Sequence, residues 1–417
     1  MTVPSYSLER HLSIHDIRDA PPLATASRPT RYATVGSRQY HHPPQRFFMT
    51  SNSTYNQGRI LCSPGSIFEG KVEVILTHPL MCLNLSVMFK GEEKVASSGK
   101  TKHLSVTNRL FGIRTLLWGD HHQDESSKEA WPILEPGHHV FPFMIEMPLV
   151  NYPPSFYHPF VTCDYTIYAT LERPGERPFK TQQLQVLFEP IIGSTHYRLQ
   201  HNNSIQQKIP SILPHFDIQV NIPHHVYTIS ESTHIPIRLT CINDSTSLTS
   251  CANLPSLLLC AKLQRHIKVI HNSFFHQELS TLQQVTSTWL LSQADVLEMK
   301  LPLVTDLYSS SSNSNMITCP SIDYAKHFHI QYTIILSAKI RGRLTSTTKK
   351  ESISIPIFFT TLNQETKPPA ALVPFTHQEV INDDTLNTKP RFIPPPSPHL
   401  NDTILPPYDP IKPPSYN

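Results

Sequence analysis

The sequence predicts an all-β protein made of two tandem antiparallel β-sandwiches. Three observations predict it. Apolar residues alternate with polar ones over short runs from about residue 47 onward, which is the period of a half-buried strand. Turn signals separate the runs, at Ser63-Pro64-Gly65, Lys90-Gly91-Glu92, Glu135-Pro136-Gly137 and Arg173-Pro174-Gly175. The alternation lapses once, over the polar stretch Gly193 to Pro210, and then resumes. Many short strands with regular turns, interrupted by one seam, describe two packed pairs of antiparallel sheets.

Residues 1–44 are polar, punctuated by proline and without periodicity, and are expected to be disordered. The first sandwich is expected over 45–192. Val72, Val74 and Leu76 share one strand face, as do Leu83, Leu85, Val87 and Phe89. Tyr165, Ile167, Ala169 and Leu171 repeat the pattern, followed by Leu184, Val186 and Phe188. Residues 193–210 read as a linker, and 211–365 as the second sandwich. Its strands are marked by Ile218, Val220 and Ile222, by Ile235 to Cys241, by Ile330 to Ile340, and by Ile353 to Phe359. A helix suits only Gln283 to Leu297, where strand–loop–strand fits equally. Asp244 to Ser250 and Tyr308 to Asn315 read as surface loops. Residues 366–417 are proline-rich and are expected to form a disordered tail, partly polyproline II.

Composition narrows the function. Proline takes 39 of 417 positions and glycine only 12, against usual shares of ~5% and ~7%. That balance favours extended segments over glycine-rich phosphate loops. The net charge of +3, with both signs interspersed, gives no reason to expect nucleic acid as a partner. No apolar run reaches the 18 or more residues a membrane helix needs, and Met1 to Ala20 lacks the apolar core of a signal peptide. The seven cysteines form no CxxC pair, and most sit in apolar runs. Reduced, buried thiols and a cytosolic site are therefore expected.

No nucleophile motif and no phosphate-cradling loop is present, so no catalytic residue is assigned and an enzyme is not expected. The 24 histidines include four adjacent pairs. Neighbours on a strand point to opposite faces and chelate poorly, and no Cys/His set has zinc spacing. No metal and no cofactor is expected. The acid pairs Glu92-Glu93 and Asp383-Asp384 read as solvated turns. The basic groups Lys262 to Lys268 and Lys339 to Arg343 read as solvated strand faces. If they share one face, acidic lipid or an acidic cargo segment could touch them.

The last thirteen residues hold two short peptides of the form (Leu/Pro)-Pro-x-Tyr: Leu405-Pro406-Pro407-Tyr408 and Pro413-Pro414-Ser415-Tyr416. WW domains read this peptide. Adjacent prolines pre-set the polyproline II shape and limit the entropy lost on docking. Tyr408 and Tyr416 lie about 25 Å apart at ~3.1 Å per residue, so the pair can engage two WW domains or offer one domain two chances. Pro4 and Tyr6, in Val3-Pro4-Ser5-Tyr6, form a third and degenerate match.

Two sandwiches followed by such a tail resemble the α-arrestins, of the fungal type. The resemblance rests on Pro64-Gly-Ser-Ile-Phe-Glu-Gly70-Lys-Val-Glu-Val, on Leu83 to Glu92, on Leu134-Glu-Pro136-Gly137 through Pro148, and on Pro153-Pro154-Ser155 followed by Tyr165 to Pro174. A looser match continues through Ile218 to Pro223, Ile235 to Asn243 and Ile353 to Ile357, so the likeness spans about 45–362. It implies a non-enzymatic adaptor. The sandwiches would bind cytoplasmic parts of membrane transporters or receptors. The tail would recruit a HECT-type ubiquitin ligase through its WW domains, for cargo ubiquitination, endocytosis and sorting. The implied location is the cytoplasm, with peripheral contact at plasma membrane and endosomes. Within the same fold, a signalling scaffold, as in ambient-pH sensing, and a retromer-like sorting subunit are the alternatives. One departure stands out. Classical visual and β-arrestins carry a phosphate-sensing arginine in the strand equivalent to Tyr165–Leu171, where this chain has Thr166, Tyr168 and Thr170.

Overall fold

The computed structural model describes residues 18–19, 31–33, 42–52, 54–55, 59–96, 105–119, 131–194, 205–213, 216–229, 232–243, 256–271, 274–290, 296–304, 319–341, 350–363, 366–375 and 388–395. Among them every regular element is a strand. In the first sandwich, the larger sheet is centred on Asn84–Ala96, which pairs with Ser105–Gly119 on one side and Val161–Arg173 on the other. The facing sheet runs Gly137–Glu146, Ile67–Leu76, Arg46–Ser51. Its register is set by ten consecutive partners, from Gly137 opposite Leu76 to Glu146 opposite Ile67. Pro64-Gly65 makes the turn into Ile67–Leu76, and Gly65 holds φ +76°, a left-handed conformation that disfavours a side chain.

The alternation seen in the sequence sets the core. Val72, Val74, Leu85, Val87, Phe89, Tyr165, Ile167 and Leu171 are fully buried. Phe89 packs against Phe68 and Phe111 with ring centroids 5.6 and 4.9 Å apart, and burying such a ring contributes about 1.5–3 kcal/mol.

The second sandwich repeats the plan. One sheet runs Ile205–Leu213, Phe216–Ile222, His234–Asn243, Val296–Pro302. The other runs Val226–Thr228, Lys350–Thr360, Phe328–Arg341, Ser256–His271, Phe274–Leu290. The segment Gln283 to Leu297, with its helical alternative, resolves as the end of one strand and the start of another. Ile205–Leu213 begins inside the stretch read as a linker.

Three further expectations are corrected. Lys90-Gly91-Glu92 is not a turn. It lies inside the thirteen-residue strand Asn84–Ala96, beside a bulge contributed by the neighbouring strand. A Cβ on Gly91 would come within 2.8 Å of Phe111 and Tyr165 ring carbons, so this glycine serves close packing rather than chain reversal. Glu92 and Glu93 are correspondingly buried, not solvated.

The terminal segments are also not wholly disordered. Arg18–Asp19 pairs with Ser105–Gly119, and Tyr32–Ala33 pairs with Trp131–Leu134. At the other end, Val373–Pro374 runs parallel to Val150–Asn151, and Arg391–Ile393 adds an antiparallel strand to Gly137–Glu146. Proline-rich composition masked these contacts, because such short pairings have no periodicity to detect.

Candidate functional site

The six tail residues Leu405, Pro406, Tyr408, Pro413, Pro414 and Tyr416, and the weaker Pro4 and Tyr6, lie outside the described residues, as do Asp244 to Ser250, Tyr308 to Asn315 and Asp383-Asp384. The described residues converge instead on the seam between the sandwiches and on the segment that returns from the second sandwich to the first.

Two adjacent acids on one strand show how the seam is made. Successive side chains point to opposite faces. Glu92 faces outward, where the Lys90 and Lys94 ammonium groups lie 2.9 and 3.2 Å away. Burial would raise its pKa, but the two lysines outweigh that and hold it below the ordinary carboxylate value. Glu93 faces inward at the end of the sandwich that meets its neighbour and is fully buried. Its Oε1 accepts the backbone N–H of His327 from the second sandwich at 3.1 Å, and Oε2 accepts the Asn108 side-chain amide at 3.5 Å. Burial pushes its pKa up to about 7, against the pull of these donors and of the Lys326 charge.

A second polar contact crosses the seam alongside. The buried His158 ring lies with Nε2 3.0 Å from the Glu278 carboxylate. Burial lowers the His158 pKa, Glu278 opposes that, and Arg265 and His276 add to the lowering. Arg265 was grouped in the sequence with solvated basic residues. It projects inward instead, opposite the buried Tyr332, and its Nε is buried without a hydrogen-bond partner. The seam therefore holds an arginine, supplied by the second sandwich rather than by the strand that contains Thr166, Tyr168 and Thr170.

Aromatic contacts close the seam. Phe156 stacks on Phe328 at 5.2 Å between centroids, and Phe160 meets His276 at 3.9 Å. Near the connection between sandwiches, Ile192 donates its N–H to Thr361 Oγ1 at 2.8 Å, and the Thr361 hydroxyl donates to Pro190 O at 2.8 Å.

Tyr152 joins the three parts of the molecule. Its ring packs in the first sandwich against Phe111 and Phe188. Its carbonyl accepts the Tyr324 hydroxyl of the second sandwich at 3.2 Å. Its own hydroxyl donates to Thr388 O at 2.5 Å, and Phe375 lies 5.0 Å from its ring. Arg391 pairs with Glu146 at 2.5 Å, and Phe392, opposite Ile145, is buried. Neither the seam acids nor this returning segment was singled out as functional from the sequence. The inward register of Glu93, two residues before Val95 and four after Phe89, was the available signal.

The arrangement is a two-lobed body whose lobes are tied by a few titratable contacts and whose C-terminal segment pairs with the first lobe at Val373–Pro374 and Arg391–Ile393. Residues 60–190 match the family model described as the arrestin (or S-antigen) N-terminal domain. That interval runs from the strand Arg59–Cys62 through the end of the first sandwich and includes Pro64-Gly65, Glu93, Tyr152 and His158. The first sandwich is therefore an arrestin-type N-terminal domain.

Proposed function

We propose that this protein is a non-enzymatic adaptor that holds membrane-protein cargo with its two sandwiches and a WW-domain ubiquitin ligase with its C-terminal peptides. The family match supports an adaptor or scaffold. The observation that carries the finer reading is the pair Leu405-Pro406-Pro407-Tyr408 and Pro413-Pro414-Ser415-Tyr416 behind an arrestin-type body. Its mechanism is proximity. One chain bound to both a transporter or receptor and a HECT-type ligase raises the local concentration of one at the other. Ubiquitination, endocytosis and sorting of the cargo follow, at the cytoplasmic face of plasma membrane and endosomes.

The test is a pull-down of WW-domain ligases with the wild-type chain and with Tyr408→Ala/Tyr416→Ala. Loss of ligase from the double variant, with cargo binding kept, is expected. Unchanged ligase recovery would remove the tail assignment.

A further inference from the structure

The basic residues noted in the sequence divide between two faces of the second sandwich. In Ser256–His271, the odd-numbered residues from Leu257 to Val269 point into the core, taking Arg265 with them. Lys262, His266 and Lys268 point outward. The register carries this face across the sheet. Lys268 stands opposite His329, and Lys339 stands directly opposite Lys350.

No acid shares the face among the described residues. The five strands of this sheet contain only Glu278 and Glu351, opposite the buried Ile267 and Ala338 respectively, so both belong to the inner face. No ion pair among the described residues involves Lys262, Lys268, Lys339 or Lys350. Like charges directly opposite on a sheet repel, and no acid among the described residues shares this face with Lys339 and Lys350.

At the end of this face nearest the first sandwich stand three apolar side chains. Ile270 is paired with Phe275, and Leu279 with His266. Phe275 is 62% exposed and Leu279 54%. They lie on or beside the edge strand Phe274–Leu290, pointing away from the core.

We propose that this sheet face docks on an anionic membrane surface, with the lysines facing acidic headgroups and Phe275 and Leu279 entering the interfacial layer. The spread of the charges argues for a surface rather than a compact anion. Lys262 is six residues from Lys268, about 20 Å of strand, and Lys339 lies ten residues beyond His329, about 33 Å. No single phosphate reaches them all. The neighbouring apolar triad argues for a bilayer over an acidic peptide, since amphipathic surfaces that bind membranes combine basic residues with exposed aromatic and aliphatic ones. This inference concerns the second sandwich and stands independently of the tail peptides.

The experiment is co-sedimentation of the full chain with vesicles of phosphatidylcholine alone and with phosphatidylserine added. Binding to the anionic vesicles only is expected, weakening as salt rises. Lys262→Glu/Lys268→Glu/Lys339→Glu/Lys350→Glu is expected to abolish it, at about fivefold or more per lysine. Phe275→Ser/Leu279→Ser should weaken it, while Lys300→Glu/Lys367→Glu, exposed lysines elsewhere, should not. If the fourfold reversal does not fold by thermal melting, the fourfold Lys→Gln set replaces it, with the same expected direction. Absence of phosphatidylserine-dependent binding, or equal loss in the Lys300/Lys367 control, overturns the proposal. Capture of a polyglutamate peptide through these lysines, without vesicle binding, also overturns it and names an acidic peptide as the occupant.

Discussion

The carboxylate of Glu93 accepts the backbone N–H of His327 across the boundary between the two sandwiches, at 3.1 Å. A buried acid is thus part of what holds the lobes in register. No lysine or arginine forms a salt bridge with it among the described residues, which is why burial dominates its titration.

That contact makes stability depend on pH in a stated direction. The folded pKa of about 7 lies above the ordinary 4.5. The contribution of Glu93 is therefore fully present below pH 4.5 and is lost as pH rises toward and through 7. Glu93→Gln keeps the acceptor oxygen and removes the charge. It should raise stability at pH 8 by roughly 2–3 kcal/mol and leave it little changed at pH 4.5. Thermal melts of both proteins across that range check this; equal shifts at both ends would sink it. His158 works the other way, because its pKa is lowered in the fold. In the Glu93→Gln protein, stability should fall as pH drops below the ordinary histidine range.

Gly91 is required by packing at the centre of the first sandwich. Gly91→Ala places a methyl 2.8 Å from carbons of Phe111 and Tyr165. Tyr165 is pinned by its hydroxyl, which donates to Pro153 O at 2.5 Å, so the ring cannot simply swing away. A loss of about 1–3 kcal/mol is expected, measured by urea denaturation. A stability equal to wild type would show that the two rings give way freely.

The returning C-terminal segment should loosen in two separable ways. Tyr152→Phe removes the bond to Thr388 O but keeps the carbonyl that accepts from Tyr324. Phe392→Ala removes the buried ring of the added strand. Both should speed hydrogen exchange at 388–395 and at Met144 to Glu146, Phe392→Ala more strongly, with the Glu93–His327 contact protected as before. Exchange that rises equally throughout the first sandwich would mean general destabilisation instead.

Four thiols should resist alkylation in the native protein. Burial pushes Cys62, Cys82, Cys163 and Cys319 well above the usual thiol range. At pH 8, iodoacetamide should leave them unmodified until urea is added, while the half-buried Cys241 and Cys260 react first. Peptide mass spectrometry reads the order directly.

Much of this fold was legible in the sequence because its strands are half-buried. Val72, Val74 and Leu76 or Ile355, Ile357 and Phe359 announce a face by period two alone. What stayed hidden was polarity placed on the apolar side. Glu93 and Arg265 follow the inward register of their strands, yet their chemistry reads as surface. Gly91 resembled a turn because a glycine between Lys90 and Glu92 has the composition of one, whereas its reason is two rings packed on a long strand. The short pairings of Val373–Pro374 and Arg391–Ile393 have too few residues to show a pattern, and their partners lie more than two hundred positions earlier.

Those two pairings also set a radius of action. Counted from Thr366, where the proline-rich region begins, Leu405 lies 39 residues away, an extended span of about 130 Å. With the strand Arg391–Ile393 fastened to Glu146, the count starts at Pro395, only ten residues before Leu405, or about 35 Å. The longest reach the chain length allows from the fastened point to Leu405 is thus about a quarter of that counted from Thr366, and it is measured from the first sandwich. If the proposed WW-domain ligase binds at Leu405 to Tyr408, the lysines within its reach are those near Glu146, and unfastening the strand Arg391–Ile393 is expected to widen the set of ubiquitinated lysines.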